Sequence, residues 1–139
     1  MAALTVGEEN GVTRERFEAS LMQMVAMELL GWTLGRDTDG QTWWCDRTGR
    51  MIVRADGLRP DLGRLMDGIE ALNLRMTLSR LSTGAWLASI EGTRGAGSST
   101  VCRERTVALL GASLGYVGRW SQDYEAALQA LYGDPWSGL

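Results

Sequence analysis

The chain has 139 residues, of which 45% are hydrophobic and 22% charged, and its formal net charge is −3. This length and composition are typical of one globular domain with a single core. The sequence contains neither histidine nor lysine. It therefore lacks the commonest general base and metal ligand, and it excludes Schiff-base and P-loop lysine chemistry. The weak acidic balance argues against a general duplex-binding protein, which needs a concentrated positive face.

No secretory signal is recognisable, and no apolar run of about 18 residues could span a membrane. We therefore expect a cytoplasmic protein without membrane contact. Cys45 and Cys102 lie far apart in the chain. In a reducing compartment such a pair is more typical of buried thiols than of a disulfide bridge, although a reactive role stays open. We expect no metal and no other cofactor.

Residues 1–12 are polar and contain glycine, which predicts a flexible N-terminal arm. Apolar residues then recur at three- and four-residue steps, so the pattern predicts a helix over residues 13–30. Thr13 is a suitable N-cap and Gly31 a suitable left-handed end. The polar residues 35–41 predict a loop.

Two β-prone runs at residues 42–45 and 50–54 flank a turn that ends in Gly49, which predicts a hairpin. Residues 59–72 predict a second helix, with Pro60 in its first turn and Asn73 at its end. A second hairpin is predicted from residues 75–81 and 85–91, joined by a turn that contains Gly84.

Residues 92–99 form the most glycine-rich stretch and predict a connection into a third helix, which begins at Ser99 or Thr100 and ends at Leu114. Glycines then predict a break, and Ser121 a cap for a last helix to Tyr132. The fold class is therefore α+β: about four antiparallel strands covered by helices in a layered sandwich, in the order α-β-β-α-β-β-α-α. The predicted organisation is an arm (1–12), a sandwich domain (13–115), and a C-terminal helix and tail (116–139) available for oligomer contact.

This order of motifs resembles the phage ABA-sandwich domain, a group of small bacteriophage and prophage proteins, over residues 13–115. The resemblance rests on Leu30-Gly31-Trp32, Trp43-Trp44, Pro60-Asp61, Trp86 and the segment around Ser99-Thr100 with Cys102. The charged residues 103–105 depart from the alanine-rich pattern of that family. The resemblance implies viral origin and a layered fold, and it supplies no catalytic residues.

The glycine-rich stretch is the main candidate ligand site. Glycines let a backbone approach a ligand, and free amides at a helix start favour an anion. Arginine forks near the same helix start could hold a phosphate. The alternative is a plain strand-to-helix connection with a serine cap. With one aromatic residue added, the candidate ligand-binding residues are Thr93, Arg94, Gly95, Gly97, Ser98, Ser99, Thr100, Arg103 and Trp44.

Adjacent Trp43 and Trp44 must point to opposite faces of a strand, so one can pack in the core while the other lies outside it. Trp32 and Trp86 are expected in the core, and Trp120 and Trp136 are candidates for a surface role. Aspartates in loops could bind a metal or act as acid and base, but turn formation is the alternative account of Asp37, Asp39, Asp46 and Asp56.

The resemblance implies a phage-encoded protein that antagonises host antiviral defence. Together with the residue features above, it predicts a non-catalytic protein that sequesters a nucleotide signal, with subunits assembled into a homo-oligomer. The alternative is a protein–protein inhibitor of a defence effector such as a CRISPR complex. A metal-dependent hydrolase that uses loop aspartates is the third hypothesis. The predicted partners are accordingly a host-derived nucleotide or a host defence protein, and not duplex nucleic acid.

Overall fold

A computed structural model describes residues 13–92 and 97–137. The predicted N-terminal arm, residues 1–12, lies outside this part of the chain. The elements alternate between helices and antiparallel strands, and they share one continuous hydrophobic core. The α+β class predicted from the sequence is confirmed.

The first helix, α1 (Arg14–Val25), continues into a π-helical turn (Ala26–Leu30). The Thr13 side chain accepts a hydrogen bond from the backbone of Arg16, as expected of an N-cap. Gly31 ends the helical segment with φ +74°, a conformation that costs glycine little. The apolar stripe predicted for this helix is buried at Phe17, Leu21, Val25 and Leu29.

The first sheet has the order β1-β2-β3, with strands β1 (Thr33–Arg36), β2 (Thr42–Cys45) and β3 (Met51–Arg54). The hairpin between β2 and β3 is as predicted, including Gly49 at φ +86°. Strand β1 was not predicted, and its last two residues fall within the loop expected over residues 35–41. Its short run contains a glycine and an arginine and is largely exposed, so it carries no alternating apolar signal.

Helix α2 (Leu62–Ala71) follows a short 3₁₀ turn (Ala55–Gly57) and is capped by Asp61, one residue after the proline. It ends before Asn73, which adopts φ +58°. The second sheet has the order β4-β5-β6, with β4 (Arg75–Arg80), β5 (Trp86–Glu91) and β6 (Gly97–Cys102).

Helix α3 (Arg105–Tyr116) packs on β5, β6 and α1, and helix α4 (Gln122–Tyr132) completes the fold. The prediction that a helix begins at Ser99 or Thr100 is wrong, because residues 97–102 form a strand instead. Thr100 and Cys102 point into the core beneath α3, and this packing overrides the loop-like composition. The predicted break before the last helix is present, although α3 ends at Tyr116, two residues later than predicted.

The single sheet of about four strands is corrected to two three-stranded sheets. Within the described ranges, no helix has the length and apolar character needed to cross a membrane. Helix α4 buries Tyr124, Ala127, Leu128 and Tyr132 in the core of its own chain. The oligomer contact expected of residues 116–139 stays a prediction.

Candidate anion-binding site

A cleft of about 620 Å³ opens between α2 and the hairpin that joins β2 to β3. This volume lies within the range of small-molecule sites. Its floor is apolar and includes Leu30, Trp32 and Leu72, while three arginines stand among its lining residues. We call this site the arginine cleft, and its arginines are Arg47, Arg50 and Arg64.

The hairpin turn positions two of these arginines through one carboxylate. Asp46 Oδ1 accepts hydrogen bonds from the backbone N–H groups of Thr48 and Arg50, at 2.9 and 3.0 Å, and from the Thr48 hydroxyl at 2.6 Å. These bonds, the Thr48 hydroxyl above all, lower the pKa of Asp46 below its ordinary value. Asp46 therefore stays ionised and holds the turn.

Arg47 is fixed against the end of the first helical segment. Its Nε donates to the carbonyl of Leu30 at 3.1 Å. A Cβ at position 31 would lie 2.7 Å from that Nε and would displace the Arg47 side chain, and the positive φ at this position favours glycine. The terminal nitrogens of Arg47 make no hydrogen bond to any other described residue.

Arg64 reaches the cleft from the opposite wall, α2. The helix starts at this end because the Asp61 side chain accepts the Arg64 backbone N–H at 3.0 Å. One turn further on, Gly68 lets α2 approach the floor closely. A Cβ there would lie 2.7 Å from Leu30 Cδ2. The position of Arg64 therefore depends on a glycine contact between elements that are far apart in the chain.

The three guanidinium groups carry charge that the described protein does not neutralise by contact. Arg119 and Glu28, 3.5 Å apart, form the one ion pair found in residues 13–92 and 97–137. Two carboxylates, Asp46 and Asp67, also line the cleft, and the charge of Arg50 helps to lower the pKa of Asp46. Three arginines against two aspartates leave the lining with a net positive charge. Paired guanidinium donors above an apolar floor suit a phosphate or carboxylate attached to a flat apolar group.

The glycine-rich segment does not provide the helix start on which the anion-site hypothesis depended. Thr93, Arg94 and Gly95 lie outside the described residues. Gly97, Ser98, Ser99 and Thr100 belong to β6, which pairs with β5. The helix begins later, and the Glu104 carboxylate accepts the backbone N–H of Thr106 at 3.1 Å. A carboxylate of the chain itself therefore occupies that helix end.

Two further residues predicted to bind a ligand, Arg103 and Trp44, instead stabilise the fold. The Arg103 guanidinium donates to the carbonyls of Thr83, Asp134 and Ser137, and to the Ser137 hydroxyl, so it holds the C-terminal tail. Trp44 is 3% exposed and lies in the core. The outward-facing partner is Trp43, which is half-buried and donates its Nε1 to Asp37 at 2.8 Å.

Two of the four loop aspartates, Asp37 and Asp46, act as turn formers. Asp37 accepts the backbone N–H groups of Asp39 and Gln41 in addition to Trp43, and the Trp43 bond is the main cause of its lowered pKa. Across residues 13–92 and 97–137, no group of three or more Cys, Asp or Glu side chains could hold a metal ion. Both cysteines are buried free thiols, and burial raises the pKa of Cys102 to about 11.

Sequence reasoning missed the arginine cleft. Arg47 lies within the predicted turn and Arg50 directly follows it, so a signal for two of the three arginines was present in the hairpin. No spacing in the sequence links them to Arg64. The three arginines come to line one cleft only because α2 packs on Leu30.

The fold and the cleft define an α+β protein with two three-stranded antiparallel sheets and a cationic, apolar-floored site. Comparisons with protein-family models, with curated proteins and with solved structures find no match to this chain. The resemblance to the phage ABA-sandwich domain stays a prediction.

Proposed function

We propose that the protein is a non-catalytic binding protein that holds a nucleotide-like ligand in the arginine cleft. One observation carries the proposal: Arg47, Arg50 and Arg64 surround an apolar floor and form no ion pair with a described carboxylate. Guanidinium forks bind phosphates with paired donors, and an apolar floor accepts the face of a base.

The charge of the whole chain also favours a small ligand over a nucleic acid polymer. The net charge is −3, so the positive potential is confined to a local site. Under the phage resemblance, the biological role that follows is sequestration of a nucleotide signal that the host makes during antiviral defence.

Calorimetric titration tests the proposal with AMP, ADP, a cyclic dinucleotide, adenosine and inorganic phosphate as separate probes. We expect a phosphorylated nucleotide to bind more tightly than either adenosine or phosphate alone, because the arginines bind its phosphate and the apolar floor contacts its base. Arg50→Ala or Arg64→Ala should weaken binding about 10- to 100-fold, the effect of one charge-assisted hydrogen bond. Arg75→Ala, which removes an exposed arginine of β4 with the same change in charge, is the matched control.

Two results would contradict the proposal. Equal losses for Arg50→Ala and Arg75→Ala would show that only net charge matters. Conversion of the nucleotide during incubation, measured by chromatography of the released ligand, would show an enzyme instead of a binding protein.

The second candidate function is the inhibition of a partner protein, for instance a defence effector such as a CRISPR complex. The observation that favours it is Trp136, which is 58% exposed although the tail that carries it is held in place by Arg103. Exposed, immobilised tryptophans are typical anchors of protein interfaces.

A further inference from the structure

The outer edge of β6 differs from the three other sheet edges in its lack of charge. Proteins commonly protect edge strands against pairing with another chain by placing charged residues or proline on them. Strand β1 carries Arg36, β3 carries Arg54, and β4 carries Arg75 and Arg80. Strand β6 consists of Gly, Ser, Ser, Thr, Val and Cys and has neither charge nor proline.

The backbone of β6 is paired on one side only. All six residues of the strand are in register with β5. Beyond that ladder, no backbone hydrogen bond joins Gly97–Cys102 to another described residue. Because alternate backbone groups of a strand point to opposite sides, about half of its N–H and C=O groups face away from β5. These groups are suited to pair with another extended chain.

A groove of about 240 Å³ runs beside this edge, between β6 and the end of α4. Leu128, Pro135 and Trp136 supply its apolar surface. Pro135 is buried and fixes the tail, whereas Trp136 remains 58% exposed. The groove therefore has an apolar anchor at one side and a free strand edge at the other.

The tail that carries Trp136 is ordered before any partner arrives. Arg103 Nε donates to the Asp134 carbonyl at 3.0 Å, and its terminal nitrogen donates to the Ser137 carbonyl and hydroxyl at 2.7 Å. The Trp136 backbone N–H donates to Asp134 Oδ1 at 2.9 Å. A preorganised anchor loses less conformational entropy on binding than a mobile one.

The charge of the groove is negative. Glu125 is the charged residue of its lining, and Asp134 lies between two further lining residues, Gly133 and Pro135. Glu125 Oε1 accepts the Trp120 indole N–H at 2.7 Å, which leaves Oε2 without a partner in the described protein. The neighbouring Arg103 keeps its positive charge, but its donors are bound to the tail and to Thr83, and it is not among the residues that line the groove.

From these observations we infer that the groove between β6 and Trp136 binds an extended, basic polypeptide segment of a partner protein by strand addition. The backbone of the segment pairs with the outer edge of β6. One apolar side chain packs on Trp136, and a lysine or arginine lies against Glu125. This site is separate from the arginine cleft and does not depend on the function proposed for it.

Fluorescence polarisation tests the inference with the labelled peptide acetyl-Thr-Val-Lys-Val-Thr-Val-amide. A second peptide has Glu in place of Lys, and a third has a methyl group on every backbone nitrogen, so that neither of its edges can pair. We expect the Lys peptide to bind, the Glu peptide to bind at least about tenfold more weakly, and the N-methylated peptide not to bind, since it cannot pair with a strand.

Trp136→Ala should weaken binding of the Lys peptide about 30-fold, as expected for loss of a buried aromatic anchor. Leu34→Ala is the matched control, because Leu34 is 56% exposed on β1, an edge strand of the other sheet. Backbone amide shifts of Ser98, Ser99 and Val101 in NMR spectra should report the pairing directly.

Several outcomes would overturn the inference. Failure of the Lys peptide to bind at millimolar concentration is one, and equal binding of the N-methylated peptide is another. If Trp136→Ala bound the Lys peptide with unchanged affinity, Trp136 would not be the anchor of the site. If the peptide binds only after residues 1–12 are deleted, the natural occupant is the N-terminal segment of the same chain. If the peptide binds only when the protein is diluted, a dimer has to dissociate first, and the occupant of the groove is a second copy of the chain.

Discussion

At the residue scale, Arg103 shows how one side chain can define a surface. Its guanidinium joins the loop at Thr83 to the tail at Asp134 and Ser137. Sequence reasoning assigned Arg103 to a ligand because arginine forks suit phosphates. In the structure the same guanidinium donates to backbone carbonyl oxygens. No local sequence pattern shows whether an arginine will bind such carbonyls or a phosphate.

Arg103→Ala should destabilise the protein and release the tail. The change removes several hydrogen bonds from a charged donor, so the free energy of unfolding should fall by about 2 kcal/mol. Urea denaturation measures this, and limited proteolysis should cut near Trp136. Arg119→Ala, which removes an exposed ion pair with Glu28, should change the stability by less than about 1 kcal/mol. Equal effects of the two changes would contradict the role given to Arg103.

Asp46 makes the hairpin sensitive to acid. Its pKa is lowered in the folded protein, so its contribution to stability is present above the unfolded pKa and is lost as the pH falls through the folded value. The ordinary value is 3.8, and we therefore expect the loss below about pH 4. In Asp46→Asn, urea midpoints should be lower than those of the native protein at pH 7 and should fall less on acidification.

The control for this experiment is Asp56→Asn, which alters an exposed carboxylate of the 3₁₀ turn. Asp37 also has a lowered pKa and remains in both variants, so part of the acid sensitivity will persist. Identical acid profiles for Asp46→Asn and the native protein would show that the turn does not depend on the charge of Asp46.

At the scale of elements, the sequence predicted the helices and strands in which apolar residues recur at regular spacing. Helices α1, α2 and α4 and both predicted hairpins lie where the pattern placed them, within a few residues. Strands β1 and β6 were missed for a shared reason, because each is short of alternating apolar residues. Their strand character comes from pairing with β2 and β5, which are more regular neighbours.

The contact of α3 with β6 depends on small residues. A Cβ at Gly111 would lie 2.7 Å from Thr100 Cγ2 and 3.0 Å from Thr100 Oγ1. Because threonine is stiff at χ1 and buried here, the strand and the helix cannot both keep their positions. Gly111→Ala should therefore lower the free energy of unfolding by about 1–3 kcal/mol, despite the better helix propensity of alanine.

A double-mutant cycle with Thr100→Ala separates this clash from helix propensity. Removing the threonine branches should restore the stability of the Gly111→Ala protein, with a coupling energy above about 0.5 kcal/mol. Additive effects in urea denaturation would mean that the two residues do not meet as described.

At the scale of the whole molecule, the core could be predicted but the arginine cleft could not. Apolar periodicity identifies Leu21, Leu65 and Ile69 as buried, and they are. The arginine cleft requires the β2–β3 hairpin, the end of the π-helical turn and α2 to meet. That meeting depends on tertiary packing at Gly31 and Gly68, for which the sequence offers only two glycines among 18.

The shared core also makes a prediction about cooperativity. The hydrophobic cluster includes Trp44 of the first sheet and Ile90 of the second, so neither sheet has a core of its own. We therefore expect one unfolding transition, with coincident urea curves from tryptophan fluorescence and far-UV circular dichroism. Leu65→Ala, which truncates a fully buried side chain of α2, should lower the free energy of unfolding by about 2–5 kcal/mol.

Hydrogen exchange measured by mass spectrometry can report the stability of each sheet separately in the Leu65→Ala variant. In a single cooperative unit, Leu65→Ala should reduce the protection of β2 and of β5 by similar factors, because both strands exchange through the same global opening. A loss confined to the first sheet, or two resolved denaturation steps, would show that the sheets unfold independently. In that case α2 would be a connection between two units instead of a part of one core.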